Sequence, residues 1–279
     1  MALQEIDPFP WFLHQNIELL VDGRKTTVQI RAAEWTKLWR PFLSNLIELQ
    51  RLGGKRMLIG VAGVPGSGKS YFAQQIAWIA SKNILPGIRV AALPMDGFHL
   101  SDSVLAGSFV RLDDGREVRM AQCKGSPATF DVAMLRDHLE RLKSAAGDMK
   151  WPNYDRMQHK SIPGAITISE SINIAIVEGN YLFLGSPPYA GIAELFDLRI
   201  YMEAPPASVV TNLMNRHING GRTIEQAKDW VKQVDLPNAR LVELTKHKAE
   251  VIIERDRDGG VIAMAWVDSQ GSSRNNVYK

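Results

Sequence analysis

The octapeptide Gly63-Val64-Pro65-Gly66-Ser67-Gly68-Lys69-Ser70 constrains this chain more than any other stretch. It satisfies every fixed position of the phosphate-cradling pattern G-x-x-x-x-G-K-[ST]. Residues 56–62 before it form an apolar run that reads as a buried strand. Residues 71–81 after it carry Phe72, Ile76 and Ile79 at helical spacing. A loop between a buried strand and a helix start turns several backbone N–H groups inward. With the positive helix end, these donors make an anion site before any side chain is counted. The candidate nucleotide-binding residues are therefore Gly63, Val64, Pro65, Gly66, Ser67, Gly68, Lys69, Ser70 and Tyr71. In this pattern Lys69 reaches the β- and γ-phosphates of a bound nucleotide, and the Ser70 hydroxyl holds Mg²⁺.

At 279 residues the chain is long enough for one large α/β domain or two small ones. Its 33 Lys and Arg against 30 Asp and Glu leave a net charge of +3. No dense basic run accompanies that charge, so a nucleic-acid partner is not expected. Cys123 is the only cysteine, which excludes an internal disulfide and fits a reducing cytoplasm. No signal peptide is read at the N-terminus, and no apolar run approaches the roughly 18 residues of a membrane helix.

Taken in order, residues 17–20 and 27–30 flank Asp22-Gly23, a hairpin signal. Residues 33–52 read as a helix with Trp35, Leu38, Trp39, Phe42, Leu46 and Leu49 on one side. Pro41 should kink or restart it, and Gly53-Gly54 stops it. Trp35 and Trp39 are expected to pack residues 1–54 onto the main domain. Strands are expected at 88–93, 172–177 and 198–202, with a hairpin of 251–254 and 261–266. Helices are expected at 129–142, capped by Thr129, then at 206–215 and 223–234, with another begun by Asp235-Leu236-Pro237. Residues 100–124 read as irregular with a turn at Asp113-Asp114-Gly115. Trp151 to Arg156 reads as a break, 216–222 as a loop, and 269–279 as a polar tail. Strands alternating with helices predict an α/β fold with a mainly parallel sheet covered on both faces.

Asp96-Gly97-Phe98-His99 follows the second strand of the 55–268 region, and Glu178-Gly179 follows the third. With the phosphate loop and the arginine-bearing 216–222 segment, these resemble the phosphoribulokinase/uridine kinase superfamily, which includes bacterial pantothenate kinase and glycerate kinase. Its bacterial nucleoside/nucleotide kinase-like and fructose-transport-system kinase-like members look most similar. The resemblance implies a P-loop NTPase fold, an ATP- and Mg²⁺-dependent kinase and a small-molecule hydroxyl acceptor. It implies that Asp96 accepts or orients the proton of the attacking hydroxyl, and that Glu178 sits near Mg²⁺ with Ser70. It also implies that Arg216 and Arg222 belong to a mobile lid. Together with Lys69, these are the candidate catalytic residues.

Lys124-Gly125-Ser126-Pro127 resembles a stretch of pantothenate kinase, and Gly125 stands about where uridine kinases have a ribose-binding Asp. Tyr154 and His159 match a uridine kinase spacing, while Tyr154-Asp155-Arg156 looks like glycerate kinase. The candidate acceptor residues are His99, Lys124, Tyr154, Arg156, His159 and Asn238. A sugar, polyol or sugar acid is the expected acceptor, with a nucleoside or pantothenate as the alternative. A nucleotide-binding regulatory protein without catalysis is the non-enzyme alternative. A guanine-reading N-K-x-D motif is missing, which disfavours a GTPase. The oligomeric state stays open, a homodimer among the options.

Overall fold

The computed structural model of the protein describes residues 6–21, 24–54, 56–111, 115–144, 147–156, 158–267 and 273–278. The chain opens with an antiparallel hairpin, β1 (Ile17–Val21) and β2 (Arg24–Val28). Its expected turn, Asp22-Gly23, lies outside the described residues, as does most of the Asp113-Asp114-Gly115 turn. A helical segment follows in three parts: α1 (Ala32–Glu34), a π-helical turn (Trp35–Trp39) and α2 (Arg40–Gly53). The π turn accommodates Pro41. A proline ring presses on the carbonyl four residues back and donates no hydrogen bond. The Arg40 N–H instead reaches the Trp35 carbonyl, which widens the helix just before the ring. The segment therefore runs on without restarting.

The main sheet begins with β3 (Met57–Gly63), followed by α3 (Lys69–Ser81) and β4 (Val90–Pro94). Then come α4 (Asp102–Gly107), β5 (Phe109–Arg111), β6 (Glu117–Arg119), α5 (Val132–Ser144), β7 (Met149–Asp155), β8 (Lys160–Ile168) and β9 (Ile174–Glu178). The last part comprises β10 (Leu198–Glu203), α6 (Pro206–Asn219), α7 (Ile224–Trp230), α8 (Leu236–Glu243), β11 (Val251–Arg255), β12 (Val261–Val267) and β13 (Ser273–Tyr278). Among the described residues the main sheet has the order β13-β12-β11-β10-β3-β9-β4. β4, β9, β3, β10 and β11 are parallel, and β12 and β13 add an antiparallel edge.

Both faces are covered because β3 is apolar throughout. Ile59 and Val61 join one core with Trp35, Trp39, Phe42, Phe72 and Ile76. Leu58 and Ala62 join the other with Leu135, Leu139, Val209, Leu213 and Val242. Trp39 is fully buried and stacks on Phe72 of α3 with ring centroids 5.4 Å apart. The N-terminal helix thus packs on the helix that follows the phosphate loop. Among the described residues no helix is long and apolar enough to cross a membrane.

Several expectations are corrected. Residues 151–155 do not break regular structure; they form most of β7, paired with β8, and Arg156 begins the turn beyond it. The strand tolerates Pro152 because the register shifts between Trp151 and Asn153, a bulge where a missing N–H costs nothing. α5 is capped by Asp131, whose carboxylate accepts from the Met134 N–H at 2.9 Å, and Thr129 lies before it. Residues 100–124 contain α4 and the β5–β6 ribbon. Residues 216–219 are the last turn of α6, which leaves only 220–222 as the connecting loop. α7 and α8 join through a π-helical turn, Val231–Asp235, with no separate start at Asp235. Within the expected 269–279 tail, 273–278 form β13, because the edge of β12 offers backbone partners that local composition does not reveal.

Trp39→Ala should cost about 3–5 kcal/mol of stability through lost burial and the cavity left behind. Urea unfolding checks this. A loss below about 1 kcal/mol would mean that the N-terminal helix is not part of the cooperative core.

Candidate active site

One cleft of about 800 Å³ crosses the C-terminal ends of the parallel strands. In open α/β sheets this is where ligands bind. The strand order arranges its contents. Asp96 follows β4, Glu178 ends β9, the phosphate loop follows β3, and Arg255 ends β11. Pro65 through Tyr71 line the cleft. Gly63 and Val64 do not; their carbonyls accept from Lys69 Nζ at 2.9 and 3.0 Å and pin the ammonium to the loop. Ser70 Oγ donates to Glu178 Oε1 at 2.8 Å. A hydroxyl and a carboxylate side by side form a hard-oxygen donor set that suits Mg²⁺. Among the described residues no group of three His, Cys, Asp or Glu side chains is arranged as a metal cage. A metal carried by ATP needs none, since phosphates and water complete its shell.

Asp96 lies in the 3₁₀ turn Met95–Phe98. Its Oδ2 accepts from Arg156 Nη2 at 2.7 Å. Burial pushes its pKa up, but the charge of Arg156 above all, with those of Arg216 and Lys69, outweighs burial and holds it below the usual carboxylate value. Two glycines bring this turn into place by close approach. A Cβ on Gly97 would collide with the Pro152 carbonyl of β7, and one on Gly179 would lie 2.5 Å from Met95 Cβ. Trp151 Nε1 donates to the Pro94 carbonyl at 3.0 Å, and Ser161 donates to the Gly97 carbonyl. The β7–β8 hairpin is therefore fastened to the Asp96 turn from both strands.

That hairpin gathers the acceptor candidates. Lys124 Nζ donates to Asp102 Oδ1 at 2.7 Å and to the His159 carbonyl at 2.8 Å, and lies 5.4 Å from the Tyr154 ring centre. Burial opposes its charge, but Asp102 and Tyr154 raise its pKa above the usual lysine value. Arg156 lies 5.9 Å from the same ring. His99 packs edge-on against Phe130 at 4.0 Å and Tyr154 at 5.0 Å. Burial drives its pKa down to about 4, with Lys124, Arg156 and Arg216 adding to the effect and Asp96 opposing it. His159, at the hairpin tip, faces Gly220 beyond α6, where a Cβ would lie 3.8 Å from its ring. The Lys124–Ser126 loop is held from below: Tyr181 donates to the Gly125 carbonyl at 2.5 Å and Tyr189 to the Pro127 carbonyl at 2.9 Å. Asn238 is buried on α8 and does not line the cleft, so the expectation that it contacts a ligand is not met.

Arg216 and Arg222 converge on a buried network that the sequence reading missed. Arg216 Nη2 donates to Asp235 Oδ1 at 3.3 Å, and His217 Nε2 donates to Asp235 Oδ2 at 2.6 Å. Arg222 Nη1 donates to His217 Nδ1 at 2.7 Å and its guanidinium covers the Trp230 ring at 4.0 Å. His217 thus carries its proton on Nε2, since Nδ1 must accept. Burial lowers the Arg222 pKa. In sequence, Asp235 looks like a helix cap and His217 a loop residue; Arg255 carried no signal at all.

These features match known proteins. Residues 58–261 match the Phosphoribulokinase / Uridine kinase family. The chain is 33% identical over 246 residues to the uncharacterized protein YggC of Escherichia coli, covering 88% of this chain and 97% of that one. It is 32% identical over 199 residues to a uridine kinase of Clostridium perfringens, covering 71% of this chain and 86% of that one. A crystal structure from Silicibacter sp. TM1040, provisionally named a fructose transport system kinase, aligns with a TM-score of 0.61 at 29% identity. It covers 73% of this chain and 94% of that one. The P-loop kinases of this family use ATP with Mg²⁺, and the chain belongs to the Phosphoribulokinase / Uridine kinase family.

Proposed function

We propose that the protein transfers the γ-phosphoryl group of Mg-ATP to a hydroxyl of a sugar, polyol or sugar acid in the cytoplasm. The observation that carries this reading is a single cleft holding both the phosphate loop, with its Ser70–Glu178 pair, and the ionised Asp96. The loop N–H groups and Lys69 would bind the phosphates, and Ser70 and Glu178 would hold Mg²⁺, which neutralises phosphate charge when bound. Asp96 would receive the acceptor hydroxyl. A carboxylate with a lowered pKa is a weak base, so its main work is orientation, with the proton leaving late. A loose phosphoryl-transfer transition state needs little more. Arg216 and Arg222 would balance charge on the transferring group, in a lid formed by the end of α6 and residues 220–222.

The way the aromatic surface is used supports this acceptor class. Lys124 and Arg156 lie by the Tyr154 ring, and His99 covers Phe130. Little aromatic face remains for a nucleobase, whereas hydrogen-bonding groups abound, which favours a polyhydroxy acceptor. Lys124 and Arg156 are already paired with Asp102 and Asp96. An anionic acceptor is therefore permitted but not required for charge balance. The test is ADP release with Mg-ATP and a panel of sugars, polyols, sugar acids, uridine, cytidine and pantothenate. Stimulation by sugars, polyols or sugar acids is the expected result. Stimulation by uridine or cytidine alone would overturn the acceptor class, and stimulation by none of the panel would count against the kinase reading.

With an acceptor in hand, Lys69→Ala should abolish turnover in a folded protein. Asp96→Asn should lower kcat by about a hundredfold or more, with ATP affinity changed far less. Near wild-type kcat in either variant would remove the assigned role. His99 should stay neutral down to about pH 4. Between its ordinary value near 6.5 and about 4, the unfolded chain binds a proton that the folded one does not, so stability falls as pH falls through that window. An NMR titration of the His99 ring with a midpoint near 6.5 would refute the buried, neutral assignment.

A further inference from the structure

The strand order gives the cleft two poles. The acceptor pole is at β4 and β9, where Asp96 and Glu178 stand. The phosphate loop follows β3 in the middle. At about 4.8 Å per strand, β11 lies about 10 Å beyond β3 on the side away from Asp96. A nucleoside triphosphate with its γ-phosphate aimed at Asp96 must extend its nucleoside toward that second pole. Two pieces of chain enclose it. One is the segment from Arg255 to Gly260, which links β11 to β12. The Arg255 guanidinium lies over Gly68 of the phosphate loop, 5.8 Å from the Tyr71 ring, with Nε donating to the Gly259 carbonyl at 2.8 Å.

The other piece comes from outside the family-matched residues 58–261. Lys25, Thr26, Thr27, Val28 and Gln29 all border the cleft. Successive side chains on a strand point to opposite faces. A cavity bordered by four successive strand residues, Lys25 to Val28, therefore meets β2 along its edge, not on one face. Among the described residues β2 pairs only with β1, so its other edge has no strand partner. Glu34 fastens this element to the second pole. Its half-buried carboxylate accepts from Trp39 Nε1 at 2.7 Å and from the Val261 backbone N–H at the start of β12.

We propose that the unpaired edge of β2, together with the Arg255–Gly260 segment, forms the subsite for the base and ribose of the nucleoside triphosphate. The N-terminal hairpin is then a nucleotide-recognition element that this chain adds to the family core. Backbone N–H and C=O groups along a strand edge alternate donors and acceptors, and the hydrogen-bonding edge of a nucleobase presents the same alternation. This inference rests on the proposed use of a nucleoside triphosphate at the phosphate loop.

Hydrogen exchange of the full-length protein tests it, with Mg²⁺ and either the nonhydrolysable analogue AMP-PNP or inorganic tripolyphosphate. Tripolyphosphate carries the phosphates without base or ribose. With ligand at about a hundred times its Kd, AMP-PNP should slow exchange by about tenfold or more in residues 25–29 and in the phosphate loop. Tripolyphosphate should protect the loop alone. Protection of the loop but not of 25–29 by AMP-PNP would overturn the subsite and leave the kinase reading standing. Equal protection of 25–29 by both ligands would overturn it too, since the base would then be irrelevant to β2. Protection of neither segment by AMP-PNP would remove the nucleotide site itself, and the subsite with it.

Discussion

Parallel pairing of β9 between β3 and β4 is the constraint on which the site depends. Val61 of β3 stands opposite Glu178, and Pro94 of β4 stands opposite the same residue. That register brings three strand ends level. The phosphate loop, Glu178 and Asp96 then share one edge, and Ser70 meets Glu178 at 2.8 Å. A slip of one residue in β9 would turn Glu178 to the opposite face and separate the two oxygens. Burial on both faces secures the register, because every residue of β3 and β9 is buried.

Charge in the cleft is organised by two carboxylates. Asp96 holds Arg156, and the buried Asp235 holds Arg216 directly and Arg222 through His217. Guanidinium groups crowded into one cleft would otherwise repel each other at partly desolvated positions. Tying each to a fixed partner sets its direction before any ligand arrives. Protein donors arranged in advance need little reorganisation when charge develops on a ligand.

The β7–β8 hairpin holds the turn that carries Asp96. It is fixed to the Asp96 turn by Trp151 and Ser161, and its tip at His159 takes the Lys124 hydrogen bond. Gly97 permits the contact, since a side chain there would meet the β7 backbone. The glycine of Asp96-Gly97-Phe98 is thus required for packing of the hairpin, and through it for the placement of Asp96.

Much of this was legible in sequence. The phosphate loop announced itself because its function lies in backbone geometry, and only particular residues permit that geometry. The apolar runs of β3 and β9 and the stripes of α3 and α5 were legible because burial imposes a period. Asp96 and Glu178 became candidates through the family resemblance of Asp96-Gly97-Phe98-His99 and Glu178-Gly179, the first just after β4 and the second at the end of β9. Other features were decided only by tertiary structure. β7 was hidden by Pro152, which is tolerated only because a bulge lies at that point. β13 was hidden because its partner, the edge of β12, supplies hydrogen bonds that its own composition does not suggest. Asp235, His217 and Arg255 carried no local signal, because their partners lie on other helices or across the sheet. The β2 edge reaches the cleft only because Trp35, Trp39 and Glu34 dock the N-terminal segment beside β12 and α3. Period and backbone chemistry act between neighbours in sequence, whereas pairing of edges and buried charges joins residues far apart, and only the folded chain brings these together.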